Sequence, residues 1–492
     1  MYLGIDLGTS GVKAVLIDDE QRIVAEQASR PLAVSRPHRG WSEQDPALWW
    51  QAVEESVDGL AATHGRELSA TRGIGLSGQM YGATALDASD APLRPAILWN
   101  DTRCGAECAE LDAAVPDLRD IAGRKPTPGV TAAKLAWLRK HEAETFAKIR
   151  TVLLPKDYIR LWLSGDKASD MADSSGTLWM DNAARDWSDR LLEATGMERS
   201  QMPRLHEGTE ATGQLNAGLA ARWGMAKRPV IAAGGGDNAC GACGTGVVHD
   251  GDGTVSLGTS GVLFVANGEP RPSHEYSIET LCHAVPGTWH QMSVILSATS
   301  CLNWLAATLK RPAAELVGEL GTEPLPACRV LFVPFLDGCW SPHDDPEIRG
   351  AFVGLGHRAD DAMLTRAVLQ GVAFALAECA EAFRRTGTSF ERLLAIGGGS
   401  RSDLWLSMIA TCLGVRLDVP ESNHLGAAFG AARLAMIAEG NRSTEDVLTA
   451  PRISRSIAPR QDFAEGYAEA FREWTALAPS VRQASVALRH LN

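Results

Sequence analysis

The hexapeptide Leu-Gly-Thr-Ser-Gly-Val occurs twice, at Leu7–Val12 and at Leu257–Val262, 250 residues apart in a chain of 492. Each copy follows a short apolar run and precedes another, so each reads as strand, glycine-punctuated turn, strand. Six identical residues in matching context, half a chain apart, mark two halves of one ancestral unit. Two such hairpins facing each other across a cleft could hold both ends of a polyphosphate. An ordinary pair of structural hairpins is the alternative reading.

The first copy carries a carboxylate, Asp6, just before its turn, with strands expected over residues 2–6, 12–18 and 22–27. A row of backbone N–H groups in a turn makes a nest for phosphate. The neighbouring carboxylate suits a hydrated Mg²⁺. A second glycine run, Ile231-Ala-Ala-Gly-Gly-Gly-Asp237-Asn238, takes an apolar strand to a carboxylate and a carboxamide. Glycine lets backbone approach a ligand closely and take φ > 0 without steric cost. A carboxylate at such a strand end is placed to meet a substrate in a cleft. On its own the run could equally be a tight turn with Asp237 as a helix N-cap. A third run, Gly397-Gly398-Gly399-Ser400-Arg401-Ser402, again joins a strand to a helix start and suits a nucleotide's ribose or adenine edge.

Between these anchors, Asp45-Pro46 predicts a helix start, with Trp49, Val53, Val57 and Leu60 on one face. A strand over 73–77 ends at Gly78-Gln79-Met80-Tyr81-Gly82, a polar, soft and aromatic set between glycines that suits a sugar, or core packing. Ile97–Arg103 reads as a strand stopping at polar groups, with Arg103 facing a ligand or paired with Asp101; Trp41 and Glu43 could border a ligand. Ser169–Ser175 reads as a hydroxyl- and carboxylate-rich loop, and residues 363–383 as a long buried helix. Gly426–Arg433 reads as a small-residue helix packed on the third glycine run. Phe463, Tyr467, Phe471 and Trp474 recur at helical spacing, which is packing.

Composition excludes several classes. A net charge of −13 argues against nucleic acid or an anionic membrane as partner. No signal peptide or long uninterrupted apolar run is evident, and ten scattered cysteines suggest reduced thiols in a cytoplasm. Cys240-Gly-Ala-Cys243 lacks the second ligand pair that a zinc site needs, so buried thiols are expected there.

Taken in order, Gly4–Ser10, Trp41–Pro46, Gly78–Gly82, Ile97–Arg103, Gly234–Asn238, Leu257–Gly261 and Gly397–Ser402 resemble the FGGY carbohydrate kinases over essentially the whole chain, and most of all the members that phosphorylate xylulose. The resemblance implies an α/β protein of two ribonuclease-H-like domains of the actin and hexokinase type with a catalytic cleft between them. The halves are expected at residues 1–244 and 245–492. It implies ATP and Mg²⁺ as cofactors and a small sugar as partner; similar kinases are commonly homodimers. It implies Asp237 as the general base and, with Asp6, as the water-mediated holder of Mg²⁺. Thr9, Ser10 and Lys13 fall on the first phosphate motif, Gly258 and Thr259 on the second, and Gly398, Gly399 and Ser402 on the adenosine motif. Met80, Tyr81, Asp237 and Asn238 would contact the sugar. A carboxylate of ordinary pKa is expected to suffice for Asp237. The expected reaction is transfer of a phosphoryl group from ATP to the terminal, C5 hydroxyl of D-xylulose. Two departures bear on the sugar: the family's usual Gln-Met-His-Gly is here Gln79-Met80-Tyr81-Gly82, and its Gly-Glu-Arg-Thr-Pro is Gly338-Cys339-Trp340-Ser341-Pro342.

Overall fold

A computed structural model describes residues 1–422 and 425–488. The first half opens with an antiparallel meander of β1 (Tyr2–Leu7), β2 (Val12–Ile17) and β3 (Ile23–Ala28). Helix α1 (Pro46–Ser69) leads to β4 (Gly73–Gly78), parallel to β1. An inserted, largely helical region includes α2 (Pro155–Ser164) and α3 (Met171–Ser175). Strands β5 (Ala211–Gln214) and β6 (Val230–Ala232) then complete a sheet of order β5-β6-β4-β1-β2-β3.

Helix α4 (Asp237–Thr245) ends the first half, and the second runs through β7 (Gly253–Leu257), β8 (Gly261–Asn267), β9 (Glu279–Cys282) and β10 (Trp289–Ile295). There follow α5 (Thr299–Leu309), α6 (Asp361–Arg385), β11 (Arg392–Ile396), α7 (Asp403–Leu413) and β12 (Arg416–Pro420). Helix α8 (Ala427–Ala438), β13 (Ile453–Ile457) and α9 (Gln461–Leu488) close the chain. The sheet order is β9-β10-β8-β7-β11-β12-β13. From β3 to β5 in the first sheet and from β10 to β13 in the second, the pairings run antiparallel, antiparallel, parallel, parallel, antiparallel. The repeated hexapeptide therefore reports a repeated topology. Its two copies differ in register: Leu7 pairs with Val12, whereas Leu257 pairs with Gly261, a shorter turn.

The periodicity in α1 is realised. Asp45 caps it by accepting from the Ala47 N–H, and Trp49, Val53, Val57 and Leu60 are buried against the first sheet. Helix α6 is long and apolar enough to cross a membrane by length and composition, unlike the expectation that no such segment exists; it lies buried as the spine of the second half. Ser169–Ser175 is not a loop. Residues up to Asp170 form a strand and the rest is α3, capped by the Asp170 carboxylate on the Asp173 N–H. Of Ile97–Arg103 only Ile97 is in a strand, because the Asp101 carboxylate ties the following turn to the backbone of Ser42 and Arg103. Trp304 is 40% exposed, stacked on Phe332 and Phe352.

The small-residue helix α8 does not pack on the third glycine run. It belongs to the second half by sequence, yet it lies on the sheet of the first. A Cβ at Gly4 would sit 1.8 Å from the Ala428 carbonyl oxygen, one at Gly75 1.8 Å from that of Ala431, and one at Gly73 2.7 Å from that of Ala435. On the helix's other side, a Cβ at Gly430 would meet the Cys240 carbonyl of α4 at 1.8 Å. Glycines on the strands and on the helix let backbone lie on backbone. Gly4→Ala should therefore cost at least the 1–3 kcal/mol or so typical of overpacking, because the obstacle is main chain. Gly466→Ala in α9, with open space around it, should gain about 0.5–1 kcal/mol. Thermal melts of the two variants should move in opposite directions.

Candidate active site

The parallel register brings the anchors together. Asp6 on β1 lies beside Ser77 on β4, and Ser77 lies beside Gly235, where the glycine run pairs with the end of β4. Gly234 takes φ +74°, and a Cβ there would sit 1.9 Å from the Leu76 carbonyl oxygen. Only glycine meets both conditions. The run, paired with the end of β4, thus sets Asp237 as the first residue of α4, near Asp6. Gly236, not Asp237, occupies the cap position. Asp237 Oδ1 accepts from the Asn238 N–H at 2.8 Å and from Asn238 Nδ2 at 3.0 Å.

Asp6 and burial together perturb Asp237. Burial raises the pKa of Asp6, opposed in part by Lys13 on the next strand. Its Oδ1 has no hydrogen-bond partner among the described residues. Asp237 is pushed up to about 7, first by desolvation and next by the negative charge of Asp6. The expectation of an ordinary carboxylate is thus corrected: two like charges in one half-enclosed site cannot both ionise at their usual cost. In the second half the repeat places Ser256 where Asp6 stands, so that hairpin has no matching carboxylate.

Thr9 and Ser10 form the first turn. The Thr9 hydroxyl donates to Gln79 Oε1 at 2.8 Å and accepts from the Trp99 indole at 3.0 Å. Gln44 Nε2 donates to the Thr9 carbonyl at 2.8 Å and its Oε1 accepts from Gln79 Nε2 at 3.1 Å. The Thr9–Ser10 turn and the Gln79–Tyr81 loop are therefore one hydrogen-bonded unit. Lys13 pairs with Glu26 at 3.1 Å. In the second turn, the carbonyls of Gly258 and Thr259 accept from the first residues of α5 and the residue before them. Gly398, Gly399 and Ser402 line a 690 Å³ cavity with Thr299, Asn303 and Arg401. The Ser402 hydroxyl also caps α7.

Met80 lies against the glycine run and Asn238: a Cβ at Gly236 would meet its Cγ at 2.7 Å, and Asn238 Nδ2 is 3.9 Å from its Sδ. The Tyr81 hydroxyl donates to Glu279 of β9 at 3.0 Å. Arg103 is committed elsewhere. It bonds Asp101 and Glu43 and covers the Trp41 ring with its carbon 3.5 Å from the centroid, so these four residues brace the fold. Cys240 and Cys243 are buried, as expected of packed thiols.

Sequence reasoning missed Gln44, Trp99, Arg124 and Glu279 as partners of these residues. Gln44 sits in a polar run that hinted at function. Glu279 has no local signature, since its link to Tyr81 spans 198 residues.

Family models match the two halves in turn. The N-terminal domain of the FGGY family of carbohydrate kinases matches residues 1–244, and its C-terminal domain matches residues 253–439. The chain belongs to the FGGY family of carbohydrate kinases. This FGGY kinase is 48% identical over 441 residues to the xylulose kinase of Escherichia coli (strain K12), covering 89% of this chain and 90% of that one. It is 45% identical over 452 residues to the xylulose kinase of Klebsiella pneumoniae, with 92% of each chain covered. Among solved structures, a xyloylose kinase from Brucella ovis superposes with TM-score 0.96 at 51% identity, covering 98% of this chain and 99% of the other. A xylulose kinase from Rhodospirillum rubrum superposes with TM-score 0.91 at 29% identity over the same shares. The FGGY kinase shares with these the two-domain α/β architecture of the actin and hexokinase type. It is an enzyme, a sugar kinase, whose family uses ATP as phosphoryl donor.

Proposed function

We propose that this enzyme transfers the γ-phosphoryl group of ATP to the C5 hydroxyl of D-xylulose, giving D-xylulose 5-phosphate and ADP. The observation that carries the reading is the position of Asp237: a carboxylate at the end of the glycine run, beside Asp6, with an elevated pKa, next to the Met80–Asn238 contact. The names of the similar proteins support the choice of sugar.

Asp237 accepts the proton of the C5 hydroxyl as its oxygen bonds the γ-phosphorus and the bond to ADP breaks. A pKa near 7 makes it a better proton acceptor than an ordinary carboxylate while it is still ionised near neutrality. Met80 and Asn238 border the sugar; Thr9, Ser10, Lys13, Gly258 and Thr259 flank the phosphates; Gly398, Gly399 and Ser402 form the wall for adenosine. We assign residues 1–244 to the sugar half and 245–492 to the nucleotide half. The donor set fits Mg²⁺ held through water. Asp6 offers a buried, unpartnered carboxylate oxygen, Asp237 a second carboxylate, and no cluster of three or more metal-ligating side chains occurs among the described residues. Bound there, the ion would neutralise charge on the phosphate oxygens. All ten cysteines are unpaired, which supports a reducing, cytoplasmic setting.

The test is ADP release from MgATP with D-xylulose, L-xylulose, D-ribulose, L-ribulose, glycerol and gluconate. Preference for D-xylulose is expected. Preference for another sugar would move the specificity, and release that ignores every sugar would remove the kinase reading. The tyrosine at position 81 favours a second reading, a kinase for another ketose, which the same panel separates.

The pH dependence follows from Asp237. Only its ionised form accepts a proton, and the pKa is raised, so activity is lost as pH falls through about 7. The kcat/KM for the sugar should fall nearly tenfold per pH unit below that value and level off above it. A flat profile from pH 5.5 to 8 would contradict the assigned base.

A further inference from the structure

The sugar loop of the first half is held by a strand of the second. Tyr81 has φ +65°, an uncommon backbone state for a bulky residue. Its carbonyl oxygen accepts from Thr131 Oγ1 at 3.0 Å and from Lys134 Nζ at 2.7 Å, which fixes that state. The ring lies on Gly176, where a Cβ would meet it at 1.9 Å, and it packs with Met80 and with Leu281 of β9. Its hydroxyl donates to Glu279 Oε2 at 3.0 Å. Glu279 Oε1 pairs with Arg124 Nη1 at 2.7 Å, and the Arg124 guanidinium carbon lies 5.0 Å from the Tyr81 ring centroid. Tyr81, Arg124 and Glu279 are 7%, 3% and 6% exposed. Main chain fixes the same junction: the Thr280 N–H donates to the Gly123 carbonyl at 2.9 Å.

A buried tyrosine hydroxyl engaged by a carboxylate does not lie free to bond a sugar. Position 81 thus presents a ring, not a hydrogen-bonding group, beside Met80. Its placement depends on Glu279, which lies on the sheet that also carries the second phosphate turn.

We infer that Glu279, with Arg124, is a specificity-determining positioning residue: it captures the Tyr81 hydroxyl and so sets the ring as an apolar wall of the sugar site. The inference rests on the sugar-kinase reading and deepens it. The chemistry predicts a sugar site that grips through Asp237, Asn238 and backbone groups and discriminates by shape at the position 81 end. Freeing the tyrosine hydroxyl, or replacing the ring with an imidazole, places a new hydrogen-bonding group there.

The experiment compares wild type, Tyr81→Phe, Tyr81→His, Glu279→Gln and the double variant Glu279→Leu/Arg124→Leu. The double variant removes both buried charges, so neither is left unpaired. Steady-state KM for sugar and for MgATP is measured with each sugar of the panel, beside a thermal melt. The double variant should raise the KM for the preferred sugar about tenfold, the loss expected for one charge-assisted hydrogen bond, with the KM for MgATP within twofold. Glu279→Gln, which keeps an acceptor for the hydroxyl, should recover most of that loss. Tyr81→His should reorder the sugars. Equal loss for both substrates, tracking the melting temperature, would make the trio merely structural and overturn the inference, as would sugar KM values and ranking within twofold of wild type in every variant. The comparison runs on whichever sugar wild type prefers, so a wrong choice of sugar is seen separately from a failed inference.

Discussion

Asp237→Asn should lower kcat by about 10²–10⁴-fold while ATP binds within a few-fold of wild type. The substitution is nearly isosteric. It keeps the first residue of α4 and an oxygen able to accept from the Asn238 N–H, so the local backbone has no reason to move. What it removes is the carboxylate proposed to take the sugar proton. It also removes the negative charge facing Asp6, so the Asp6 carboxylate should ionise more readily, and nucleotide affinity has no cause to fall. Turnover by steady-state kinetics and ATP binding by calorimetry check the two halves of the statement. A kcat within tenfold of wild type would sink the role given to Asp237.

Lys156→Met should destabilise the fold by about 3–5 kcal/mol, the cost of breaking a buried ion cluster by removing one partner. Lys156 Nζ lies 2.5 Å from Asp157 Oδ1, 2.5 Å from Asp170 Oδ2 and 3.6 Å from Asp173 Oδ2, and none of the four is exposed by more than 1%. Burial works against the lysine charge, but the three carboxylates outweigh it and its pKa ends above the ordinary value. Asp173 is raised well above its own, by burial first, despite the attraction of Lys156. Without Lys156, Asp170 and Asp173 would have folded-state pKa values further above their unfolded ones. The unfolded chain would then bind fewer protons than the folded one, and stability would fall as pH rises. The deficit of Lys156→Met should accordingly be larger at pH 8 than at pH 5 in urea melts. A deficit below 1 kcal/mol at both would show the cluster to be dispensable. The cluster lies directly under the Gly78–Gly82 loop proposed to border the sugar, since a Cβ at Gly78 would be 3.1 Å from Lys156 Cβ, so its loss should also be felt in sugar KM.

What was legible in the sequence shared one property: its cause was local. The hairpins, the cap at Asp45, the stripe Trp49–Leu60 and the glycine approach to Asp237 each depend on residues within a few positions. The elevated pKa of Asp237 depends on Asp6, which only the parallel register of β1, β4 and the glycine run brings near. Small residues in α8 announced a close approach but not its partner, which turned out to be the far sheet. The polar Ser169–Ser175 stretch resembled a loop because its carboxylates cap a helix and neutralise Lys156 instead of meeting water. Tyr81 stood out as a departure from the family's histidine, and nothing near it in sequence discloses that Glu279 takes its hydroxyl.

The lodging of α8 on the first sheet has a consequence for biosynthesis. Strands β1 and β4 leave the ribosome early with one face lined by glycine, and the helix that covers this face is completed roughly 360 residues after β4. At about 5–20 residues per second, that face waits roughly 20–70 s for its cover. The amino-terminal half is therefore a late-finishing unit despite being made first, and a nascent chain halted before Ala438 should remain protease-sensitive at β1 and β4 although every residue of both strands has long emerged.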